Sequence, residues 1–408
     1  MTARRKAPVH AVIGAGYGDE GKGLATDALS SRYGEAAVVV RANSGAQAGH
    51  TVVAPDGRRH VFHHVGSGSF AGASTFLGRR FVSNPMLLRG ELAELALKDV
   101  LPRIVADARG AATTPYDVML NQFVEQDRAG GRHGSCGIGF GETIERNLKP
   151  EFAFGLDALR DPAALAVVLD RIRREWVPAR AARLGVPLGA ERLELIGSDA
   201  VLRNYLDDAA AFLAAVDLVD GPRDLHVDAP LIFENAQGLL LDQDRGVFPH
   251  VTRSNTGLRN VVEVSRELDV DRIDVLYATR AYVTRHGAGP LAGELARKPW
   301  RGIVDRTNVP NPWQGTLRFA LLDLDVLGAA VDADLRDADG VAVSHRLLVT
   351  CLDQIDGPAR WTDRGLLASA SPEALVRAAS RRVAADGSMV STGPTRDHVS
   401  DTSAMAAA

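Results

Sequence analysis

Short apolar runs broken by glycine-rich turns dominate the N-terminal part of the chain. Val9–Ile13 is apolar and leads into glycines and then into a helix-like stretch, Gly21–Arg32, while Ala36–Arg41 is a second apolar run rich in β-branched residues. A strand, a glycine loop, a helix and another strand indicate a parallel sheet, because parallel neighbours need a crossover connection that is usually helical. The pattern therefore predicts an α/β fold with a P-loop-like first βα turn.

Strand-like and helix-like patterns alternate along the rest of the chain. Three β-like runs and two helical patterns stand out, at Pro230–Phe233, Arg272–Tyr277, Leu347–Cys351, Pro162–Arg173 and Ser265–Leu268. Residues 161–220 are rich in alanine and arginine and mostly helical in pattern, whereas residues 400–408 are small and polar and are expected to fray. We predict a single large domain over residues 1–408, with a mostly parallel central sheet and a helical covering subdomain at 161–220.

Composition and charge narrow the class of protein. The chain has 408 residues, of which 46% are hydrophobic and 24% charged, as in soluble globular proteins. The 47 basic residues nearly balance the 51 acidic ones, which argues against a general binder of nucleic acid or anionic membranes. Apolar runs of about 18 residues are absent, so we expect no membrane span. Cys136 and Cys351 lie far apart and the basic N-terminus lacks a signal-peptide core, so we expect a cytoplasmic protein.

The glycine loop Gly14–Gly23 carries the first candidate chemistry. Its glycines allow backbone N–H groups to converge on phosphate oxygens, and Lys22 adds a full positive charge at the start of a helix. The spacing matches a P-loop, but Gly23 replaces the serine or threonine that normally binds Mg²⁺. Asp19 offers an alternative metal ligand within the loop. The competing interpretation is a glycine turn that only tightens the packing of strand on helix.

A second polar loop, Arg41–Thr51, follows the second predicted strand. Open α/β sheets bind ligands at the carboxyl ends of their strands, so this loop and the first are expected at the same edge. His50 lies in this loop between a glycine and a threonine. A lone histidine is more often structural than catalytic, so His50 by itself is a weak candidate.

The two loops together resemble the opening motifs of the adenylosuccinate synthetase family. The first is GYGDEGKG, beginning at Gly16, and the second is AGHTVV, beginning at Ala48. Further segments are similar to that family in the same order, namely HHVGSG (His63–Gly68), IFENAQGLLLDQDRGVFPHVTRSNT (Ile232–Thr256), AYVTRHGAGP (Ala281–Pro290) and STGP (Ser391–Pro394). The resemblance runs from about Gly14 to Pro394, which is nearly the whole chain.

The resemblance implies a carbon–nitrogen ligase that uses a nucleoside triphosphate, a 6-oxopurine nucleotide and L-aspartate. Asp19 would remove the N1 proton of the purine and hold Mg²⁺ together with the backbone carbonyl of Gly49. His50 and Lys22 would stabilise the transferring phosphoryl group, and Gln237 would bind the purine edge. The amine of the amino acid would then displace phosphate from C6. A homodimer is also implied.

The remaining site residues follow from the same resemblance. For the donor nucleotide and its phosphates they are Gly18, Glu20, Gly21, Lys22, Gly23, Asp353 and Gly393. For the acceptor nucleotide they are Gln47, Ser135, Arg146, Gln237 and Thr252, with Arg146 expected to reach the phosphate bound by the neighbouring subunit. For the amino acid they are Arg306, Thr307, Asn308, Asn311, Gln314 and Arg318.

Three segments depart from the family pattern and leave the substrates open. Arg132–Arg146 lacks the paired threonines of the phosphate loop, and Asp305–Arg318 replaces an arginine-rich aspartate loop. In the guanine-reading element Cys351 stands in place of lysine, so ATP becomes as plausible a donor as GTP. Asn235 replaces a glycine near the nucleotide, which favours dGMP as an acceptor beside IMP. A nucleoside-biosynthesis paralogue and a non-catalytic nucleotide-binding switch are the alternatives.

Overall fold

The first predicted strand, glycine loop and helix are present in the computed structural model, which describes residues 7–128, 135–226, 228–305 and 316–402. The strands are β1 Val9–Gly14, β2 Val38–Arg41, β3 His50–Val53, β4 Arg59–Phe62, β5 Ser74–Leu77, β6 Ile104–Asp107, β7 Val216–Val219, β8 Leu231–Glu234, β9 Arg272–Arg280, β10 Tyr282–Arg285, β11 Glu294–Leu295, β12 Arg318–Asp323, β13 Ala342–Thr350, β14 Ala359–Asp363, β15 Leu366–Ala370, β16 Gly387–Ser391 and β17 Val399–Asp401. The helices are α1 Lys22–Ser30, α2 Pro85–Ala96, α3 Pro115–Asp127, α4 Phe140–Asn147, α5 Pro162–Arg171, α6 Val177–Leu184, α7 Ala190–Gly197, α8 Asp199–Ala215, α9 Leu258–Glu267, α10 Leu324–Leu335 and α11 Pro372–Arg382.

Ten strands form the central sheet, in the order β17-β16-β13-β9-β1-β8-β2-β5-β6-β7. All neighbouring pairs are parallel except β16 with β17. The predicted α/β class with a mostly parallel sheet is therefore confirmed. Because parallel strands end at the same edge, the loops after β1, β2, β8, β9, β13 and β16 converge there.

Strand β1 lies in the middle of the sheet and is buried on both faces. Ala11 and Ile13 pack into a core that includes α9, α10 and α11, whereas Val12 faces a smaller core built around α1. Side chains of a strand alternate between its faces, so a strand that is covered twice needs apolar residues throughout. This is why Val9–Ile13 is apolar apart from His10, whose ring bonds to the hydroxyl of Tyr33.

Most of residues 161–220 are helical, but the C-terminal end of this range is a strand. Helices α5 to α8 pack with α2 and α3 into a separate hydrophobic core. Helix α5 begins where predicted, because Asp161 caps the N–H groups of Ala163 and Ala164 and Pro162 occupies the first turn. The range that was predicted to be mostly helical ends in a strand, since Val216–Val219 pairs with β6 as the edge strand β7.

A second, smaller sheet was not predicted. It joins β10, β12, β14 and β15 in that order, with β11 on the edge of β12. The prediction of a frayed C-terminus was wrong for Ser400 and Asp401, which pair with β16 in strand β17, and residues 403–408 lie outside the described part. Across the described ranges, the helices are all too short or too polar to span a bilayer.

Candidate active site

A cleft of about 1410 Å³ lies at the carboxyl edge of the central sheet. It brings together most of the residues selected from the sequence, namely Gly18, Asp19, Glu20, Gly21, Lys22, Gly23, Gln47, Gly49, His50, Ser135, Gln237 and Thr252. These residues come from four segments that are distant in sequence. The volume exceeds that of a typical single-ligand pocket, which is about 300–1,000 Å³, so the cleft has room for more than one substrate.

The phosphate loop has an unusual backbone. Gly18 and Gly21 have φ values of 94° and 87°, and Asp19 between them has φ 61°. An aspartate in the left-handed region costs about 1 kcal/mol or more, and such strain is typically retained where it aims a functional group. The turn ends at Gly21, after which α1 begins directly with Lys22.

Glu20 fills the interior of the phosphate loop. Its Oε1 accepts hydrogen bonds from the N–H groups of Gly16 and Gly18, at 3.0 and 2.7 Å. Its Oε2 accepts one from Lys22 Nζ at 2.9 Å, and both side chains are buried. A carboxylate therefore occupies donors that a P-loop would offer to phosphate.

Gly23 has a packing explanation. A Cβ at this position would lie 3.0 Å from the carbonyl oxygen of Thr51 and 3.2 Å from the carbonyl carbon of His50. Strand β3 thus crosses the first turn of α1 so closely that a side chain at position 23 would crowd its backbone. The absence of a serine or threonine here follows from the position of His50, which the close crossing brings next to the phosphate loop.

Asp19 is held by groups on the opposite wall of the cleft. Its Oδ2 lies 3.2 Å from Nε2 of His286, and its backbone carbonyl accepts a hydrogen bond from Nε of Arg280. Burial raises the pKa of Asp19, but the hydrogen bond from His286 and the charge of Arg280 outweigh burial and leave the pKa below its usual range. Asp19 is therefore an ionised carboxylate at neutral pH, with 28% of its side chain exposed to the cleft.

His50 is oriented by a buried glutamate. Its Nδ1 lies 2.8 Å from Oε1 of Glu234, whose Oε2 accepts from Arg41 at 3.3 Å and from the N–H of Ser67 at 3.1 Å. Burial lowers the pKa of His50 to about 4, although the charge of Glu234 opposes this shift. An ionised carboxylate can only accept, so Nδ1 carries the proton and Nε2 has its lone pair available. That Nε2 is buried and has no hydrogen-bond partner among the described residues.

Burial also raises the pKa of Glu234, but His50 and the permanent charge of Arg41 hold that pKa well below its usual range. Arg41 and Glu234 are both fully buried. The glutamate is thus a fixed anion whose counter-ion is Arg41, and it leaves His50 neutral while fixing the direction of its ring.

The loop after β8 packs directly on the phosphate loop. Gln237 adopts φ 66°, and a Cβ on Gly238 would lie 2.2 Å from the carbonyl oxygen of Gly16. Asn43 ties the loop after β2 to the same segment, since its amide accepts from the N–H of Ala236 and donates to the carbonyl of that residue. Three sheet-edge loops therefore form a single bonded surface on which Gln237 lines the cleft.

The expectation for Arg146 was wrong. Its guanidinium is fully buried and makes an ion pair with Asp117 at 3.0 Å. Two further nitrogens donate to the carbonyls of Phe152 and Ala112, each at 2.8 Å. These bonds hold α3 against α4 and use all three guanidinium nitrogens, so the side chain cannot extend to a phosphate in a neighbouring subunit.

Arg318 also departs from its expected role. Its guanidinium makes a two-point ion pair with Glu294, at 2.8 and 2.6 Å, and donates to the carbonyls of Gly287 and Gly289. It does not line the cleft, so the structure gives it the task of fixing the segment after β10 rather than of binding a dicarboxylate. The other amino-acid candidates, Arg306, Thr307, Asn308, Asn311 and Gln314, lie outside the described residues.

The donor candidates Asp353 and Gly393 follow β13 and β16 at the expected edge, but neither lines the cleft. Asp353 is exposed. The strand before it contacts the phosphate loop, since Thr350 Oγ1 donates to the carbonyl of Glu20 at 3.1 Å. The donor role of both residues stays a prediction.

Asn235 is not a base-reading residue in this structure. It is fully buried, does not line the cleft, and donates to the carbonyls of Thr256 and Gly257 at 3.0 and 2.9 Å. Ser135 does line the cleft, but its hydroxyl donates to Asn121 at 2.9 Å and accepts from the N–H of Gly137. The predicted contacts of Asn235 with a 2-amino group are therefore wrong.

Three site residues were missed by the sequence analysis. Glu234, Arg280 and His286 all lie in or beside motifs that were quoted for the family resemblance. A charged residue at the end of an apolar strand was the available signal for Glu234 and Arg280, because such positions reach the ligand-binding edge. His286 had the weaker signal of a histidine in a glycine-rich turn.

The residues present are compatible with Mg²⁺, which prefers one or two carboxylates and completes its coordination with phosphate oxygens and water. Asp19 is ionised and faces the cleft, and Gly49 is exposed on the same cleft. Clusters of three or more histidine, cysteine, aspartate or glutamate side chains with metal-binding geometry do not occur in the described ranges. A site with this composition would thus depend on the bound nucleotide.

The sequence of this chain is similar to the sequences of a known protein family. The sequence profile of the family described as adenylosuccinate synthetase matches residues 11–315. An adenylosuccinate synthetase of Picrophilus torridus is 30% identical over 354 residues, which cover 85% of this chain and 79% of that protein. The fold and the cleft are those of a carbon–nitrogen ligase. The chain belongs to the adenylosuccinate synthetase family.

Two solved structures share the fold. The fully ligated adenylosuccinate synthetase of Plasmodium falciparum superposes with a TM-score of 0.72 at 19% identity, covering 96% of this chain and 99% of that one. A succinoaminodeoxyadenylate synthetase of cyanophage S-2L, bound to dGMP and dATP, gives a TM-score of 0.59 at 16% identity, with coverages of 98% and 96%. At these identities the likeness concerns the fold.

Proposed function

We propose that this protein couples L-aspartate to C6 of a 6-oxopurine nucleotide, IMP or dGMP, at the expense of ATP or GTP. The products are an N6-succinyl purine nucleotide, ADP or GDP, and phosphate. The observation that carries the proposal is the convergence of Asp19, Lys22 and His50 on one cleft. A nucleotide-binding switch would have no need of a strained carboxylate and an oriented histidine at the same site.

The chain's own residues have distinct tasks in this proposal. The ionised Asp19 accepts the N1 proton of the purine, so that negative charge develops at O6 and makes that oxygen a nucleophile towards the donor's terminal phosphorus. Gln237 binds the purine edge. Lys22 and the helix dipole of α1 stabilise the negative charge that builds up on the phosphoryl group.

His50 contributes through its Nε2, because Glu234 holds the opposite nitrogen. When the anionic phosphoryl group approaches, the lone pair at Nε2 takes up a proton from solvent, and the resulting imidazolium donates a hydrogen bond to an oxygen of that group. The amine of aspartate next attacks C6, and the phosphate leaves from there. Mg²⁺, held by Asp19 and the carbonyl of Gly49, would neutralise charge on the phosphates.

The identity of the acceptor is the finer part of the proposal. IMP and dGMP both present N1–H and O6 to Asp19 and Gln237, and they differ in the 2-amino group and the sugar. Thr252 and Gln47, which line the cleft, are proposed to bind the 5′-phosphate. We also propose that the protein acts as a homodimer in the cytoplasm.

The decisive experiment is a matrix of acceptors and donors. Purified protein is incubated with IMP, GMP or dGMP, with ATP or GTP, and with or without L-aspartate and Mg²⁺; phosphate release and succinylated product are measured by a coupled assay and by mass spectrometry. Product that requires all four components supports the proposal. Nucleotide binding without product under every combination would contradict ligation and favour the switch.

A further inference from the structure

The contact between His286 and Asp19 joins the two walls of the cleft. His286 follows β10, Asp19 lies in the loop after β1, and Nε2 and Oδ2 are 3.2 Å apart. The two side chains are 20% and 28% exposed, and both line the cleft. The histidine is therefore at the site without being buried beneath it.

The backbone on both sides of His286 is fixed by two arginines. Arg285 donates to the carbonyl of Pro290 at 2.6 Å and stacks over the ring of Tyr17 in the phosphate loop, with its guanidinium carbon 4.4 Å from the ring centre. Arg318 donates to the carbonyls that follow His286 while Glu294 holds its other edge. Because little conformational freedom remains in its backbone, His286 can in turn fix the position of the Asp19 side chain.

The side chain of Asp19, in contrast, is not fixed by its own loop. Its side chain lies on a loop that the cleft exposes, and a carboxylate there rotates unless one of its oxygens is bonded. Arg280 fixes the backbone carbonyl of Asp19, and His286 fixes Oδ2. Oδ1 is then left for the ligand. A general base must lie within about 2.6–3.2 Å of the proton it removes, and a displacement of about 1 Å costs on the order of 10²-fold in rate.

We propose that His286 is a positioning residue that orients the carboxylate of Asp19 towards the N1 proton of the acceptor. This inference rests on the proposed ligase function. The histidine acts through its hydrogen bond to Asp19. Its effect is therefore expected on the rate of the chemical step and not on the affinity for either nucleotide.

The test compares two substitutions of this residue with a matched control. His286→Leu removes the hydrogen bond, whereas His286→Gln keeps a side-chain N–H donor. We expect kcat to fall by about 10- to 100-fold in His286→Leu with KM for donor and acceptor within about 3-fold, and to recover to within about 3-fold of wild type in His286→Gln. His10→Leu is the control, because it removes one hydrogen bond of a buried histidine, to Tyr33, at the opposite end of β1.

Crystal structures of both variants give a readout that does not depend on turnover. In His286→Leu the carboxylate of Asp19 should leave its orientation, and in His286→Gln it should keep it. An unchanged carboxylate in His286→Leu overturns the inference, as does a kcat within about 2-fold of wild type or a His286→Gln variant as slow as His286→Leu. If the wild type ligates no acceptor, the proposed function fails, and the crystal structures still decide whether His286 orients Asp19.

Discussion

Two regions near the carboxyl edge of the central sheet are built differently. The chemical wall, which we define as residues 14–23, 41–51 and 234–238, consists of three loops bonded to one another and contains the buried pairs Lys22–Glu20 and Arg41–Glu234. The recognition side, which we define as residues 350–353, 391–394 and 318, has an exposed Asp353 and an arginine tied to Glu294. The first region matches the family motifs closely except at Asn235, whereas the second has Cys351 in place of the lysine of the guanine-reading element.

The difference has a physical basis. A buried ion pair that loses one partner leaves an uncompensated charge and costs about 3–5 kcal/mol, so substitutions in the chemical wall endanger the fold as well as the reaction. An exposed aspartate or a loop residue can change at a cost near zero. The chemical wall therefore restricts the type of reaction, while the recognition side leaves the choice of nucleotides open.

The largest expected effects come from substituting the reacting groups of the chemical wall. Asp19→Asn removes the proton acceptor, and His50→Asn removes the cleft-lining imidazole that Glu234 orients. Each should lower kcat by at least ~10²-fold, which is the usual scale for a general base or a charge-stabilising group. Steady-state kinetics under the conditions of the acceptor matrix measure the effect.

Folding must remain intact for this comparison. Thermal melts should stay close to wild type for Asp19→Asn, whose side chain is partly exposed. Asp56→Asn is the matched control, because that aspartate lies in the β3–β4 turn with 51% of its side chain exposed and pairs with its neighbour Arg58. Near-normal turnover by Asp19→Asn or His50→Asn would remove the mechanism proposed for the chemical wall.

A smaller loss of activity, combined with a loss of stability, is expected for Glu234→Gln. The amide can accept from His50 only by turning its NH₂ group towards Arg41 and the N–H of Ser67, which are themselves donors. We expect kcat to fall by roughly 10- to 100-fold and the free energy of unfolding by about 3–5 kcal/mol, because Arg41 loses its counter-ion. Activity assays and urea unfolding test both parts, and an unchanged kcat would show that the orientation of His50 is irrelevant to turnover.

On the recognition side we expect weak discrimination between donors. Cys351 provides no lysine stem to cover a guanine base, and it lies partly buried beside Arg280 and Tyr282. The ratio of kcat/KM for GTP over ATP should therefore stay below ~100-fold, which corresponds to about 2.7 kcal/mol. A larger GTP preference would mean that guanine is recognised without the lysine, and the contrast between the two sides would disappear. Cys351→Lys should raise the ratio.

The sequence predicted the chemical wall better than the recognition side for reasons that the structure explains. Strand β1 could be recognised from its apolar residues, because both of its faces are covered. The glycines of the first loop could be recognised because φ values of 94° and 87° require them. Constraints of this kind act on a few consecutive residues, so they can be recognised from a short sequence pattern. Glycine at position 23 was read as a missing metal ligand, because its cause is a crossing strand that is distant in sequence.

Long-range partners account for the other differences. Arg146 was assigned to a ligand, yet Asp117 and two carbonyls on other elements bind it inside the protein. The small sheet of β10, β12, β14 and β15 has no continuous sequence signal, because its strands are separated by helices and loops. A charged residue in a motif can bind a substrate or stabilise the fold, and only its neighbours in three dimensions distinguish the two roles.

The smallest effect on activity is expected for Asn235→Gly, which restores the residue that the family pattern has at this position. The Oδ1 of Asn235 is buried without a partner among the described residues, while its amide N–H groups bind the carbonyls of Thr256 and Gly257. Loss of two buried hydrogen bonds should lower the free energy of unfolding by about 1–3 kcal/mol. The ratio of kcat/KM for dGMP over IMP should change by less than about 3-fold, since the side chain does not line the cleft. Chemical denaturation and the acceptor assay measure the two quantities on the same preparation.

Asn260→Ala is the control for stability, because it too removes a buried amide that donates to a loop carbonyl. A shift of the acceptor ratio towards IMP by more than about 10-fold would mean that the cleft opens onto Oδ1 when nucleotide binds, and that the chemical wall selects the acceptor as well as the reaction.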